Sequence, residues 1–192
     1  MGEPERKAMG RSGGNTMGDA GNESGKKTAK KTLLGRAAVL EELREHPAVR
    51  AILAWKPEAL TDANFDRAEL TLTIAPEEIR PAAAAEQAAG YNFFEDMTAV
   101  DWLPATPRFQ LSYHLLSHSY KERIRLRVLV DAAAPEVDSI TPLWPSANFF
   151  EREVFDLFGI RFSGHPNLRR ILMPDDWQGY PLRKDYPVEG YR

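Results

Sequence analysis

Four prolines, Pro166, Pro174, Pro181 and Pro187, cut the last part of the chain into intervals of six to eight residues. Each fixes its own φ and brings no amide hydrogen, so neither a long helix nor a central strand can run through residues 160–192. The stretch is nevertheless rich in Phe162, Leu168, Ile171, Leu172, Met173, Trp177, Tyr180, Leu182 and Tyr186. A disordered tail lacks such groups. Ten of the chain's 19 aromatics lie between Trp144 and Arg192. Apolar content without periodicity calls for a surface to lie on. The 33 residues of 160–192 would reach roughly 100 Å if fully extended. The expectation is an extended C-terminal arm, 160–192, that gains its order by docking on another protein.

The residues before the arm read as a helix. Pro145 and Ser146 suit its start, and Gly159 suits the left-handed position after its end. Phe150, Val154, Leu157 and Phe158 share one face at about 100° per residue, which makes a core stripe. Arg152 and Asp156 lie opposite, four residues apart, where they can pair. Phe149 and Phe155 miss the stripe and need a second surface.

Upstream, residues 1–32 hold seven Lys/Arg, four Asp/Glu and no aromatic. They are expected to be a disordered, mildly basic leader without the apolar core of a secretory signal. Deleting them is expected to shift the unfolding free energy by less than about 2 kcal/mol, measured by denaturant titration.

Residues 33–159 form the expected domain. Periodicity predicts a helix over 33–46, a strand over 49–55, a loop over 57–66 and a strand over 68–74. A second helix follows from Pro76 to Ala89. A strand over 93–102 and a hairpin of 108–118 with 123–131 complete the sheet. In that hairpin Phe109, Leu111, Tyr113 and Leu115 face Ile124, Leu126, Val128 and Val130, leaving one solvated face. Residues 131–143 are a loop. The fold class is α+β, a mostly antiparallel sheet with helices on one side plus the arm.

Composition excludes several function classes. There is no cysteine, hence no disulfide and no thiolate-bound zinc or iron–sulfur cluster from this chain. Net charge is −3, against a nucleic-acid binder. No apolar run approaches 18 residues, so no segment is a candidate membrane helix. No glycine-rich dinucleotide loop is present.

Candidate chemistry is thin. Glu151, Glu153 and Asp156 suggest paired carboxylates, but Glu151 and Glu153 are about 200° apart on a helix and cannot form a dyad. His114, His118 and Glu122 have a metal-like spacing, which the strand pattern spreads along a hairpin instead. His165, in a turn before Pro166, reads as a hydrogen-bond partner of arm backbone. Arg169, Arg170, Arg183 and Lys184 are interleaved with Asp175, Asp176 and Asp185, a pattern that suits ion pairs across a protein interface. Trp177 and Tyr186 are the expected anchors, because aromatics and arginine dominate such interfaces.

Glu151-Arg152-Glu153, Asp156-Leu157-Phe158-Gly159-Ile160, Phe162, Gly164-His165-Pro166, Leu168-Arg169-Arg170-Ile171-Leu172, Asp176-Trp177, Gly179 and Pro181 to Pro187 together resemble the signature of the C subunit of bacterial respiratory NADH–quinone oxidoreductase, complex I. The resemblance covers about the last quarter of the chain. It implies a cofactor-free member of the hydrophilic arm, packed beside the D subunit near the junction with the membrane arm. FMN, iron–sulfur clusters and quinone would be bound by other subunits, and the whole enzyme would couple NADH oxidation to proton translocation. It also implies a peripheral position at the inner membrane, on its cytoplasmic side, reached only through the complex. In some bacteria the C and D subunits are fused; here the C subunit is expected as a separate polypeptide. The docking residues implied are Glu151, Arg152, Glu153, Asp156, His165, Arg169, Arg170, Asp176, Trp177, Arg183, Lys184, Asp185 and Tyr186. The same signature is similar to subunits of ferredoxin- and F420-dependent dehydrogenases and of membrane-bound hydrogenases. A stand-alone interaction module is the reading from a different class.

Overall fold

The β4–β5 hairpin is the spine of the fold. In the computed structural model β4 (Phe109–Ser117) pairs antiparallel with β5 (Glu122–Val130), with Tyr113 opposite Leu126 and Leu111 opposite Val128. The structure describes Gly2 and residues 41–190. The expected leader and most of the expected 33–46 helix lie outside the described residues.

The chain order is α1 (Pro47–Trp55), β1 (Leu60–Asp66), β2 (Glu69–Ile74), α2 (Ile79–Ala88), β3 (Phe93–Asp101), β4, β5, β6 (Glu136–Asp138), α3 (Ala147–Phe158) and β7 (Arg161–Ser163). Five strands form one sheet in the order β1-β2-β5-β4-β3, and β6 pairs with β7 apart from it. All pairings of the large sheet are antiparallel except β2 with β5. One sheet face carries Leu70, Leu72, Ile74, Leu111, Tyr113, Leu115, Ile124, Leu126 and Val128. They form a single buried cluster with Val49 and Ile52 of α1, Ile79, Ala82 and Ala83 of α2, and Val154 and Phe158 of α3. The expected α+β layout with helices on one side is therefore the observed one.

Two expected elements are replaced. Residues 49–55 are helix, because His46 caps the turn, its Nδ1 accepting from Ala48 N at 3.3 Å, and Pro47 opens it. Residues 60–66 are strand rather than loop. They escape period-2 reading because a register shift between Leu60 and Asp62 breaks the alternation. Asp131 to Leu143, read as a loop, contains the short strand β6.

The second sheet face is drier than its threonines suggest. Thr71 and Thr73 are buried. Arg125 and Arg127 lie across them, Arg127 donating to Thr73 Oγ1 at 2.7 and 2.9 Å. Of the candidate metal triad, His114 pairs with Asp96 and accepts from Arg125, while Glu122 takes the hydroxyl of Tyr91. The three are not brought together. Among the described residues no cluster of His, Asp and Glu could hold a metal.

A candidate docking face at the C-terminal segment

Helix α3 behaves at its apolar face as its periodicity predicts. Val154 and Phe158 are buried, and Phe150 and Leu157 pack partly buried against the core; Phe155, expected off the stripe, packs against the same core instead of a second surface. Phe149 stays 61% exposed. Gly159 follows in the left-handed conformation, φ 72°, and its N–H bonds to Phe155 O.

The polar face of α3 does not form the expected Arg152–Asp156 pair. Both side chains reach instead to the segment 169–173. Arg152 donates to the carbonyls of Arg169 (3.1 Å) and Arg170 (2.9 Å). Asp156 accepts on Oδ2 from the N–H groups of Ile171 (3.0 Å), Leu172 (2.8 Å) and Met173 (2.8 Å), and on Oδ1 from Arg170 Nη1 (2.7 Å). Burial alone would raise the Asp156 pKa. The three amides and the guanidinium outweigh it and hold the carboxyl below its ordinary value.

A second contact closes the end of α3. The Leu182 N–H bonds to Leu157 O at 3.1 Å, and Arg183 Nε donates to Phe158 O at 2.6 Å. These are carbonyls that a helix end leaves without an intrahelical partner. The Arg183 guanidinium also sits over the rings of Tyr180 (4.6 Å) and Phe109 (5.2 Å).

A third contact ties the segment to the far edge of the sheet. Arg108 bonds to both oxygens of Asp101 (3.0 and 2.7 Å) and both of Asp185 (2.9 and 2.6 Å). Lys184 N donates to Asp101 Oδ2 at 2.8 Å. Burial works against the Asp101 charge, but Arg108 and the amides of Lys184 and Leu103 hold it well below the usual carboxylate range.

The C-terminal segment therefore lies on its own domain rather than running out as a free arm. The local reason is that α3 presents an acceptor and a donor spaced by one turn to backbone of matching polarity. Of the candidate docking residues, Asp156, Arg170 and Arg183 spend their polar groups inside the chain. The side chains of Glu151 and His165 are buried, with Asn167 N donating to His165 Nδ1 as expected of arm backbone. Asp185 is held by Arg108, and the Tyr186 hydroxyl donates to Gln178 O at 3.4 Å. Glu153, Arg169, Asp176, Trp177 and Lys184 are exposed.

Asp101 and Arg108 were not singled out by sequence reasoning. They pair with each other seven residues apart, but their partners in the C-terminal segment lie 77 to 83 residues away, and no local pattern marks that contact. The segment so pinned turns Leu172 (60% exposed), Trp177 (39%), Leu182 (52%) and Val188 outward. Phe149 is exposed on the helix beneath. Its inner polar groups are satisfied while Leu172, Trp177, Leu182 and Val188 are left exposed.

Comparison with known proteins gives the family of the chain. The family model described as respiratory-chain NADH dehydrogenase, 30 Kd subunit, matches residues 72–192. The C subunit of NADH-quinone oxidoreductase from Roseiflexus sp. (strain RS-1) is 45% identical over 158 residues, covering 81% of this chain and 86% of that one. Its counterpart from Citrifermentans bemidjiense is 49% identical over 133 residues, 69% of this chain and 83% of its own. Among solved structures, a trypsin-resistant fragment of Nqo5 superposes with a TM-score of 0.55 at 33% identity, over 64% of this chain and 99% of the fragment. A chain of the membrane-bound sulfane sulfur reductase, an archaeal respiratory membrane complex, gives a TM-score of 0.63 at 26% identity, over 73% of this chain and 84% of that one. The match over the greater part of its length, with relatives above 40% identity, makes this chain a member of the 30 kDa, or C-subunit, family of respiratory NADH–quinone oxidoreductase.

Proposed function

We propose that the chain serves as the C subunit of an NADH–quinone oxidoreductase, a structural member of the peripheral arm that carries no redox cofactor. In this reading it joins the enzyme through the outward face of residues 165–190, docking on the D subunit near the quinone site. FMN, iron–sulfur clusters and quinone belong to other subunits, and the assembled enzyme couples quinone reduction to proton translocation. The chain meets the membrane only through the complex, on the cytoplasmic side. Among the described residues no helix is long and apolar enough to cross a membrane, and this reading needs none.

The observation that carries the reading is the pinned segment with its exposed Leu172, Trp177, Leu182 and Val188. Binding such a face loses little ordering entropy, because Asp156, Arg183 and Arg108 have already fixed the backbone. Trp177 is the largest side chain on it. Trp177→Ala is expected to weaken association by about 2 kcal/mol, roughly 30-fold. Its circular dichroism should stay unchanged. Co-purification of the complex from membranes, with quinone reductase activity as a second readout, checks this. Normal assembly of the variant would place docking on another face.

A further inference from the structure

Beneath the outward face lies a polar cluster that docking does not use. The Glu151 side chain on α3 has no exposed surface, nor has that of His165, whose Nε2 stands 4.0 Å from Glu151 Oε2. Glu151 Oε1 accepts from Ile140 N at 2.7 Å, and Oε2 accepts from Ser139 Oγ at 2.6 Å. Ser139 Oγ in turn accepts from Thr141 N at 3.2 Å and shares a hydrogen with Thr141 Oγ1 at 2.7 Å. The Tyr113 hydroxyl of β4 is buried in the same core with no hydrogen-bond partner among the described residues, and the Glu151 charge acts on it.

We propose that Glu151 is a reversible proton-binding site inside the core, with Ser139 and Thr141 as a hydroxyl pair that serves both of its states. With Glu151 ionised, the Ser139 hydroxyl donates to Oε2. With one proton added, the hydrogen sits on Oε2, because Oε1 faces the Ile140 N–H. It then points at Ser139 Oγ, and the Ser139 hydrogen turns to Thr141 Oγ1. One proton enters, the charge rises by one, and no heavy atom has to move. An ordinary buried carboxylate is held by fixed amides or a guanidinium, as Asp156 is. Glu151 has one amide and one rotatable hydroxyl, which donates or accepts with equal ease.

The groups that face Glu151 leave it the proton carrier. From the C-terminal segment, His165 Nδ1 accepts from Asn167 N at 3.0 Å, so the ring hydrogen is on Nε2, directed toward Asn148 O at 3.3 Å. Burial keeps that imidazole neutral against the pull of the Asn148 carbonyl, and Arg152 adds to the effect. On α3 itself, Arg152 is turned to the carbonyls of Arg169 and Arg170. At the end of β6, Asp138 is paired with Arg80 at 2.5 Å. From β4 only the neutral Tyr113 approaches. Burial, opposed by the Ser139 and Ile140 hydrogen bonds, pushes the Glu151 carboxyl up to about 7.

The test is an NMR titration of the glutamate side-chain carboxyl carbons in the full chain. One resonance is expected to titrate near neutrality and to vanish in Glu151→Gln. Ser139→Ala removes the donor to the ionised form and is expected to raise that midpoint by about one pH unit. Thr141→Val removes the acceptor for the reversed hydroxyl and is expected to lower it. Glu86, buried with no partner on either oxygen among the described residues, is unmoved by these changes and is identified by Glu86→Gln. If Glu151→Gln does not fold, the Ser139 and Thr141 variants carry the assignment through their opposite shifts. A Glu151 midpoint in the ordinary carboxylate range overturns the proposal. So does a midpoint that neither hydroxyl variant moves.

Discussion

Replacing Asp156 by alanine is expected to cost about 3 kcal/mol of stability, since removing one partner of a buried ion pair leaves the other uncompensated. Four donors lose their acceptor together: the amides of Ile171, Leu172 and Met173, and the guanidinium of Arg170. Arg170 retains Gly179 O, with its side chain 15% exposed, and water rescues part of its charge. Asp156→Asn should recover only part of this, because with its oxygen on the three amides its NH2 group faces the Arg170 guanidinium, donor against donor. Urea unfolding of the two variants checks the magnitude. The pH dependence is a sharper check. Asp156 has its folded pKa depressed, so its contribution is present above the ordinary carboxylate value of about 3.9 and is lost as pH falls through the lower folded value. The gap between wild type and Asp156→Ala should therefore close in acid. Glu151, five residues earlier, runs the other way. Its folded pKa is raised to about 7, so its contribution is full below the ordinary value and is lost as pH rises through about 7. A gap that stays constant from pH 7 down to strong acid would mean that the Asp156 charge is not what holds the segment.

Gly159→Ala is expected to cost about 3 kcal/mol, more than its backbone conformation explains. At φ 72° any side chain pays roughly 1–2 kcal/mol for the left-handed region. A Cβ there would also stand 2.5 Å from two ring carbons of Tyr180 and 2.8 Å from Arg183 Nη2. Neither can retreat cheaply, because Arg183 is bound to Phe158 O and stacked between two rings. Gly164 is the internal control. It has φ 78°, and its Cβ would meet nothing nearer than Arg80 Nη1 at 3.5 Å. Gly164→Ala should pay the backbone term alone. The excess of the first variant over the second measures how tightly residues 180–183 sit on the end of α3. Equal losses in denaturant titration would show that this seat is loose.

The sheet and helix α3 were legible because their information is local. Alternation in 109–115 and 124–130 states which residues face the core, and the pairing follows it without exception. The apolar stripe of 150–158 and the glycine after it state where α3 runs and stops. The first third was less legible. His46 acts as a cap through a single ring nitrogen, and β1 carries too few buried side chains to show a period.

The C-terminal segment divides the two kinds of information most clearly. The sequence by itself determined that residues 160–190 hold no long helix and are not a disordered tail, through proline spacing and aromatic content. It also determined the family, since the signature is a string of neighbours along the chain. Only the tertiary structure decided where the charges go. Asp156 and Arg170 are 14 residues apart, Arg108 and Asp185 are 77, and Asp101 and Lys184 are 83. An arginine carries the same charge whether its carboxylate lies in its own chain or in a partner. The choice is made by which surfaces the folded domain brings within hydrogen-bond reach, and that is a property of the packed sheet and helix, not of the residues between them.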